Sequence, residues 1–340
     1  MTDQPFYLAN NAALRQAVPE DDLLHPAVNA GVSGDTLTET QYFGFNVPEE
    51  NIHGLTYMWH HPNLNVVTGG LMVWRGIKPV SMAAELFDFR AYMNDGVLAN
   101  DLHDYRLDNG FGVKILEPNK RFHLTYDDAA RGNGIDLISE GVTPIALFGD
   151  GKHFEQGMRV RGTLRLRGKE YAVDCHNVRD RSWGKLRPEA IMPMPPVAWM
   201  TGCFGDDFIF NCNMMDHVGS NPQLTAPFEI PTDKALNGGW VWKDGKQLLV
   251  TSARKQVRRD DGNFRPQTIV LEMTLEDGSQ ITANGRTIAS CPYATWPNML
   301  AHISLIRWEV DGRIGHGDEQ CVIWNDFAHA VHSQEALVDG

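Results

Sequence analysis

Asp-Gly pairs recur along the chain at Asp95-Gly96, Asp150-Gly151, Asp244-Gly245, Asp261-Gly262, Asp277-Gly278 and Asp311-Gly312. Such a pair accepts the positive φ angles of a tight hairpin turn, so each marks a place where an antiparallel strand can double back. Period-two stretches run between them. From Gly157 to Gly168, Met158, Val160, Leu164 and Leu166 alternate with Arg159, Arg161, Arg165 and Arg167, which predicts a strand with one face in a core and the other in water. Gln247 to Val257 and Thr268 to Leu275 are predicted as further strands, joined through the polar segment Arg258 to Gly262. Helical periodicity is confined to Ala12 to Val18 and Ser81 to Asp88, both short. The fold class is therefore all-β and antiparallel, with few short helices.

Pro188, Pro193, Pro195 and Pro196 fall within nine residues. Proline at that density cannot sit inside a helix or a central strand, which puts a domain junction there. The expected division is residues 1–187 and 188–340, each the size of one antiparallel barrel or sandwich. Closed barrels remove exposed strand edges and often enclose an apolar ligand.

Charge and motifs exclude much. The net charge of −13 argues against a nucleic-acid groove or an anionic membrane as partner. No apolar run reaches the ~18–20 residues of a membrane helix. The opening MTDQPFYLANNAALRQ lacks the basic-then-apolar profile of a secretory signal, and Cys175, Cys203, Cys212, Cys291 and Cys321 form an odd set without C-x-x-C spacing. A cytoplasmic location with reduced thiols is expected. The phosphate loop, the strand-linked G-x-G-x-x-G, the G-x-S-x-G elbow and H-E-x-x-H are all absent. No cofactor or metal is expected.

Chemistry concentrates in His153-Phe154-Glu155-Gln156 and in the run from His176 to Gly184. If extended, the second segment carries His176, Val178, Asp180 and Ser182 on one face and Arg179, Arg181 and Trp183 on the other. His153 and Glu155 share a face in the same way. Two readings compete for Asp180: a member of a solvated ion-pair ladder between two arginines, or a desolvated acid able to donate a proton at neutral pH. His153, Glu155, His176 and Asp180 could also form a mixed metal-ligand set, but their spacing fits no known metal motif.

A weaker signal is aromatic and soft. Nine tryptophans, among them Trp183 and Trp199, together with Met192, Met194, Met200, Met214 and Met215, could line an apolar cavity. In Phe208 to His217, an extended chain puts Ile209, Asn211, Asn213 and Met215 on one face. Buried amides there need partners or a polar group of a substrate.

The pair H-x-E-Q, then R-D-x-S-W-G at residues 179–184, resembles a superfamily of tandem lipocalin-like proteins. It holds the carotenoid 1,2-hydratases, hydroxyneurosporene synthase-like proteins and the fungal Diels–Alderases of decalin biosynthesis; this chain most resembles the uncharacterised bacterial members. The resemblance implies two β-barrel or sandwich domains around a hydrophobic pocket, and cofactor-independent addition of water to an isoprenoid double bond. The aspartate that matches the hydratases' acid is Asp180. A tyrosine two positions earlier is implied as well, and Val178 stands there instead.

The expected function is a hydratase or dehydratase acting on a hydrophobic isoprenoid, terpenoid or steroid-like small molecule. Asp180 would donate the proton, His176 or His153 would position and deprotonate water, and Trp183 or another tryptophan would face the cation. Glu155, Trp183, Trp199, Asn211, Asn213 and Met215 are the expected substrate contacts. The alternatives are a cyclase or isomerase in the same pocket and a non-catalytic lipid or steroid carrier.

Overall fold

The computed structural model describes residues 12–14, 18–25, 37–148, 151–186, 194–221, 230–296 and 298–338. The chain divides into two compact units, residues 13–75 with 82–188, and residues 1–12 with 76–81 and 189–340. Pro188, Pro193 and Met192 lie outside the described residues, as does Asp150 of the second Asp-Gly pair.

The N-terminal unit is built on strands β1 (Ala12–Leu14), β2 (Leu37–Val47), β3 (Ile52–His61), β4 (Val66–Arg75), β5 (Leu86–Asn94) and β6 (Asp104–Arg106). They are followed by β7 (Gly112–Glu117), β8 (Arg121–Asp128), β9 (Asn133–Gly141), β10 (Ala146–Phe148), β11 (His153–Leu166) and β12 (Lys169–Leu186). They form one curled antiparallel sheet in the order β5-β4-β3-β2-β12-β11-β9-β8-β7-β6, with β10 beside β11 and β1 beside β10. The alternation read in residues 157–168 appears as predicted. Met158, Val160, Leu164 and Leu166 are buried with Phe43, Phe45, Phe122 and Leu137 inside the curl, each such side chain contributing about 1.5–3 kcal/mol by leaving water. The opposite side of the strand carries Arg159 on Asp174 and Arg165 on Asp127. Strands β11 and β12 meet in a two-residue turn at Arg167-Gly168, both at positive φ, and run as partners from Leu166↔Lys169 to His153↔Ser182.

The C-terminal unit is a closed eight-stranded barrel. Its strands are β13 (Val197–Cys203), β14 (Phe208–Met215), β15 (Leu236–Lys243), β16 (Lys246–Arg259), β17 (Pro266–Leu275), β18 (Gln280–Trp296), β19 (Met299–Val310) and β20 (Arg313–Trp324). Closure comes from β20 pairing back on β13, from Val197↔Val322 to Cys203↔His316. Asp244-Gly245 and Asp311-Gly312 make two-residue hairpins with both residues at positive φ, as the Asp-Gly reading requires. Inside pack Met200, Phe210, Met214, Leu271 and Trp308. Helix α1 (Asn325–Val338) sets Phe327 and Val331 against Phe264, Cys321 and Ile323.

Three local expectations are corrected. Asp95-Gly96 opens a short 3₁₀ turn, where the Asn94 side chain accepts from the Gly96 N–H at 2.9 Å, rather than a hairpin. Ser81 to Asp88 is a three-residue 3₁₀ turn followed by the start of β5, because Leu86 pairs with Val73 and Phe87 with Met72 of β4. In Ala12 to Val18, residues 12–14 are a strand beside β10 and residues 15–17 lie outside the described residues.

Candidate active site

The β11–β12 register decides which groups meet. His153 lies opposite Ser182, and Glu155 opposite Asp180. The imidazole of His153 bridges two of these groups: Nδ1 is 2.7 Å from the Ser182 hydroxyl and Nε2 is 3.2 Å from Glu155 Oε1. His153, Glu155, Asp180 and Ser182 are all buried. A cluster of one imidazole, one hydroxyl and two carboxyl groups at this depth is costly unless its members satisfy one another.

The arginines on either side of Asp180 are engaged on the other face. Arg179 pairs with Asp22 and Gln156 and lies over the rings of Phe122 and Phe154, 4.4 and 5.0 Å from their centroids. Arg181 pairs with Glu39 and with the Leu23 carbonyl. Burial pulls the Glu39 carboxyl up, but the Arg181 charge and the hydrogen bonds from His25 outweigh it and hold the group below its usual range. The solvated-ladder reading of Asp180 does not describe this strand, since both guanidinium groups are internal.

On its second edge, β12 pairs with β2, and Asp180 stands directly opposite Tyr42. Tyr42 is fully buried and begins a row of rings on this face of the sheet. It is followed by Tyr57 at 5.8 Å, Trp59 at 4.1 Å from Tyr57, Phe89 at 5.9 Å from Trp59, and Phe87 at 5.8 Å from Phe89. The Tyr42 hydroxyl occupies the space above Gly44, where any Cβ would collide with it and with the Asn177 amide. The pairing thus supplies a phenol from β2 beside the acid, while Val178, fully buried opposite Gly157, fills the position where a tyrosine was implied.

Other predicted residues are placed differently. His176 shares the face of Asp180 but sits four residues along the strand, about 13 Å at ~3.3 Å per residue, half-buried and opposite Arg159; the structure brings His153 to the cluster and leaves His176 outside it. Trp183 is on the opposite face from Asp180. It packs on Phe154 and Ile145 and stacks on His25 with ring centroids 3.8 Å apart and planes at 3°. It helps line a cavity of about 520 Å³ together with Asp21, Leu24, His25, Asp101 and Leu147. That cavity and the Asp180 cluster therefore belong to different faces of β12.

Trp199, Asn211, Asn213 and Met215 belong to the barrel unit. Trp199 pairs with Asn213 and Val197 with Met215, on the side of β13 and β14 away from the barrel core. Asn213 accepts from the Asn237 amide at 3.2 Å. Asn211 is fully buried, with neither amide atom hydrogen-bonded among the described residues. Met200 and Met214 are core, and Met194 is partly buried.

Sequence reasoning missed Tyr42, Tyr57, Phe87 and Phe89, gave Ser182 no role, and named Trp59 only among the nine tryptophans that could line an apolar cavity. The period-two spacings Tyr57-x-Trp59 and Phe87-x-Phe89 carried a signal for shared faces. Their apposition to Asp180 depends on β2 pairing with β12, which no local pattern encodes. Among the described residues, no group of three or more His, Cys, Asp or Glu side chains is arranged to hold a metal ion, and no helix is long and apolar enough to cross a membrane.

The profile of a family described as "Domain of unknown function (DUF7064)" matches residues 18–324. No curated protein sequence matches. Among solved structures, kievitone hydratase from Nectria haematococca aligns over 94% of this chain and 98% of its own, at 8% identity and a TM-score of 0.51. CghA aligns over 94% of this chain and 98% of its own, at 10% identity and a TM-score of 0.54. These likenesses extend over both units and establish a shared fold, in agreement with the tandem β-domain superfamily that the motifs of β11 and β12 resemble.

Proposed function

The chain belongs to the DUF7064 family, and we propose that it is a cofactor-independent hydratase or dehydratase acting on a carbon–carbon double bond of a hydrophobic small molecule. One observation carries this reading: Asp180 is buried between Glu155 and Tyr42 at the head of a row of aromatic rings. Acid-catalysed hydration needs a desolvated acid, a positioned water and π-faces beside the developing cation. The hydratase among the solved structures of this fold supports the same reading.

In the proposed reaction the Asp180 carboxyl transfers its proton to one alkene carbon. The π pair becomes the new C–H bond and the other carbon becomes cationic. Tyr42, Tyr57 and Trp59 offer ring faces to that charge. Water adds to the cation and loses a proton toward His153, whose Nε2 is held by Glu155. The proton taken up by His153 is released to solvent and Asp180 is reprotonated from solvent, so the sum is alkene plus water giving alcohol; dehydration is the reverse. General acid catalysis contributes about 10²–10⁴-fold, with orientation and preorganised dipoles supplying more. Burial beside Glu155 and Tyr42 sets this acid away from bulk water.

The test is incubation of the wild type and Asp180→Asn with prenylated phenols, terpenoids and steroids in ¹⁸O-labelled water. The expected result is a labelled mass gain in the wild type that the variant, with an unchanged circular dichroism spectrum, loses. Wild-type turnover by Asp180→Asn removes this residue from the chemistry. An unlabelled isomer identifies a cyclase or isomerase instead, and bound but unchanged compound identifies a carrier.

A further inference from the structure

The imidazole of His153 lies between a hydroxyl and a carboxylate, and its two nitrogens cannot play the same part. With Glu155 ionised, Nε2 carries the hydrogen and donates it to Oε1 at 3.2 Å. Nδ1 is then the acceptor, and the only hydrogen the Ser182 hydroxyl can give it lies along the 2.7 Å contact. The direction is fixed from Ser182 through His153 to Glu155. This is the order of nucleophile, base and orienting acid.

Ser182 owes its place to the register. It is the residue of β12 opposite His153, two pairs beyond Glu155↔Asp180, and it shares the face of Asp180. Immediately beyond it the β12–β2 ladder shifts register before Lys185, and Gly184 takes φ +59°. The shift turns the following chain without disturbing the pairs that hold Ser182, Asp180 and Tyr42. The Trp183 N–H is used by the Lys152 carbonyl at 3.0 Å. It does not supply the backbone donor beside the serine that an acyl-transfer site would use for its oxyanion, so the relay is not read as that of an esterase.

We infer that Ser182 is the group that touches the attacking water, and that His153 acts on the water through it. The inference rests on the hydration reading above. As water adds to the cationic carbon, its O–H proton passes to Ser182 Oγ while the serine's own proton passes to His153 Nδ1, leaving an imidazolium paired with the Glu155 carboxylate. The new C–O bond takes a lone pair from the water oxygen, and no oxidant or further reactant is required. The acid and the water-activating hydroxyl are separated by one residue on the same face of one strand. This places the two proton transfers of a hydration at neighbouring positions of a single rigid element.

The experiment compares wild type, Ser182→Ala and Ser182→Thr on a substrate that the wild type hydrates, in ²H₂O and in ¹⁸O-labelled water. The expected result for Ser182→Ala is a loss of ¹⁸O incorporation of about 10²–10⁴-fold with deuterium exchange into the alkene retained, because protonation by Asp180 persists and the cation reverts. Ser182→Thr restores the hydroxyl and recovers hydration. Wild-type hydration by Ser182→Ala overturns the inference, as does parallel loss of both isotopic signals in a folded variant. A substrate-free arm reads the tautomer: ¹⁵N spectra of His153 are expected to show a protonated Nε2 and an acceptor Nδ1 whose signal moves in Ser182→Ala. A protonated Nδ1 in the neutral ring overturns the relay. A wild type that shows this tautomer yet hydrates nothing contradicts the hydration reading itself, and with it the role given to Ser182.

Discussion

Asp180 and Tyr42 face each other across the β12–β2 ladder, both buried, with the Tyr42 hydroxyl occupying the space that Gly44 leaves open. The pairing sets an acid beside the first of five rings in contact, and it does so through backbone hydrogen bonds rather than side-chain flexibility. If the ring stabilises positive charge, its face matters more than its hydroxyl. Tyr42→Phe is expected to keep hydration within a few-fold of wild type. Tyr42→Leu is expected to lose about 0.5–2 kcal/mol of transition-state stabilisation, or roughly 2–30-fold in rate. Initial rates on a common substrate compare the two variants.

Gly70 is set opposite Phe89, one of those rings, at φ +151°. A Cβ there would collide with the Asp88 carbonyl and approach the Asn109 amide that donates to it at 2.7 Å. Gly70→Ala is expected to destabilise the N-terminal unit by about 2–4 kcal/mol, from backbone strain and overpacking together. Urea denaturation measures the change.

Arg179 and Asp22 form an internal ion pair with almost no exposure on either side. Arg179→Met leaves the Asp22 carboxylate buried without its charge partner and is expected to cost about 3–5 kcal/mol. Adding Asp22→Leu should recover part of that loss, though not all, because Asp22 also accepts from the Asn119 N–H. A double-variant cycle by chemical denaturation gives both numbers.

The barrel interior carries a pH signature of its own. Asp216 is paired with Lys255 at 2.8 Å and with Arg259 at 2.9 and 3.0 Å, and Glu319 lies buried nearby. Burial pushes the Glu319 carboxyl up to about 7, against the opposing pull of Arg259 and Lys255 and with a small push from Asp216. A raised carboxyl is neutral in the folded state while the unfolded chain ionises. Its stabilising contribution is therefore complete below about pH 4.5 and is lost as the pH rises to about 7. Glu319→Gln should gain roughly 2–3 kcal/mol at pH 8 relative to pH 4.5, measured by thermal unfolding across pH.

His302 works from the acid side. Burial depresses its imidazole to about 4, and Nε2 donates to the Asn263 carbonyl at 2.7 Å. Between about pH 6.5 and 4 the unfolded chain binds a proton that the folded ring refuses, so stability falls as the pH drops through this window. Replacing His302 by Gln, which can keep the donor, should flatten that limb of the same pH–stability curve.

Much of this fold was legible because two physical signals were local. The alternation of Met158, Val160, Leu164 and Leu166 with arginines reports a strand with unequal faces, and Asp244-Gly245 and Asp311-Gly312 report turns that need positive φ. The shared face of Asp180 and Ser182, and that of His153 and Glu155, also followed from period two alone. What escaped was long-range register. Tyr42 meets Asp180 only because a strand near the start of the chain pairs with one near its middle. Ser81 to Asp88 misled because Leu86, Phe87 and Phe89 suit a strand as well as a helix, and pairing with β4 decided between them. Period two put Trp183 on the face opposite Asp180, while the expected mechanism turned the same ring toward the cation; the ring lies in the His25 stack and beside the cavity, away from the acid. Helix α1 was overlooked although Phe327 and Val331 stand at helical spacing.

Asp180 can act as the proton donor at neutral pH only if it keeps its proton in the folded, substrate-free protein. Isotope-edited infrared difference spectroscopy of ¹³C-aspartate protein, wild type minus Asp180→Asn, reads that proton directly. A protonated carboxyl band is expected at pH 7 in the wild type and disappears in the variant. A carboxylate band from Asp180 at pH 7, with no protonated form, would contradict the proton-donor role.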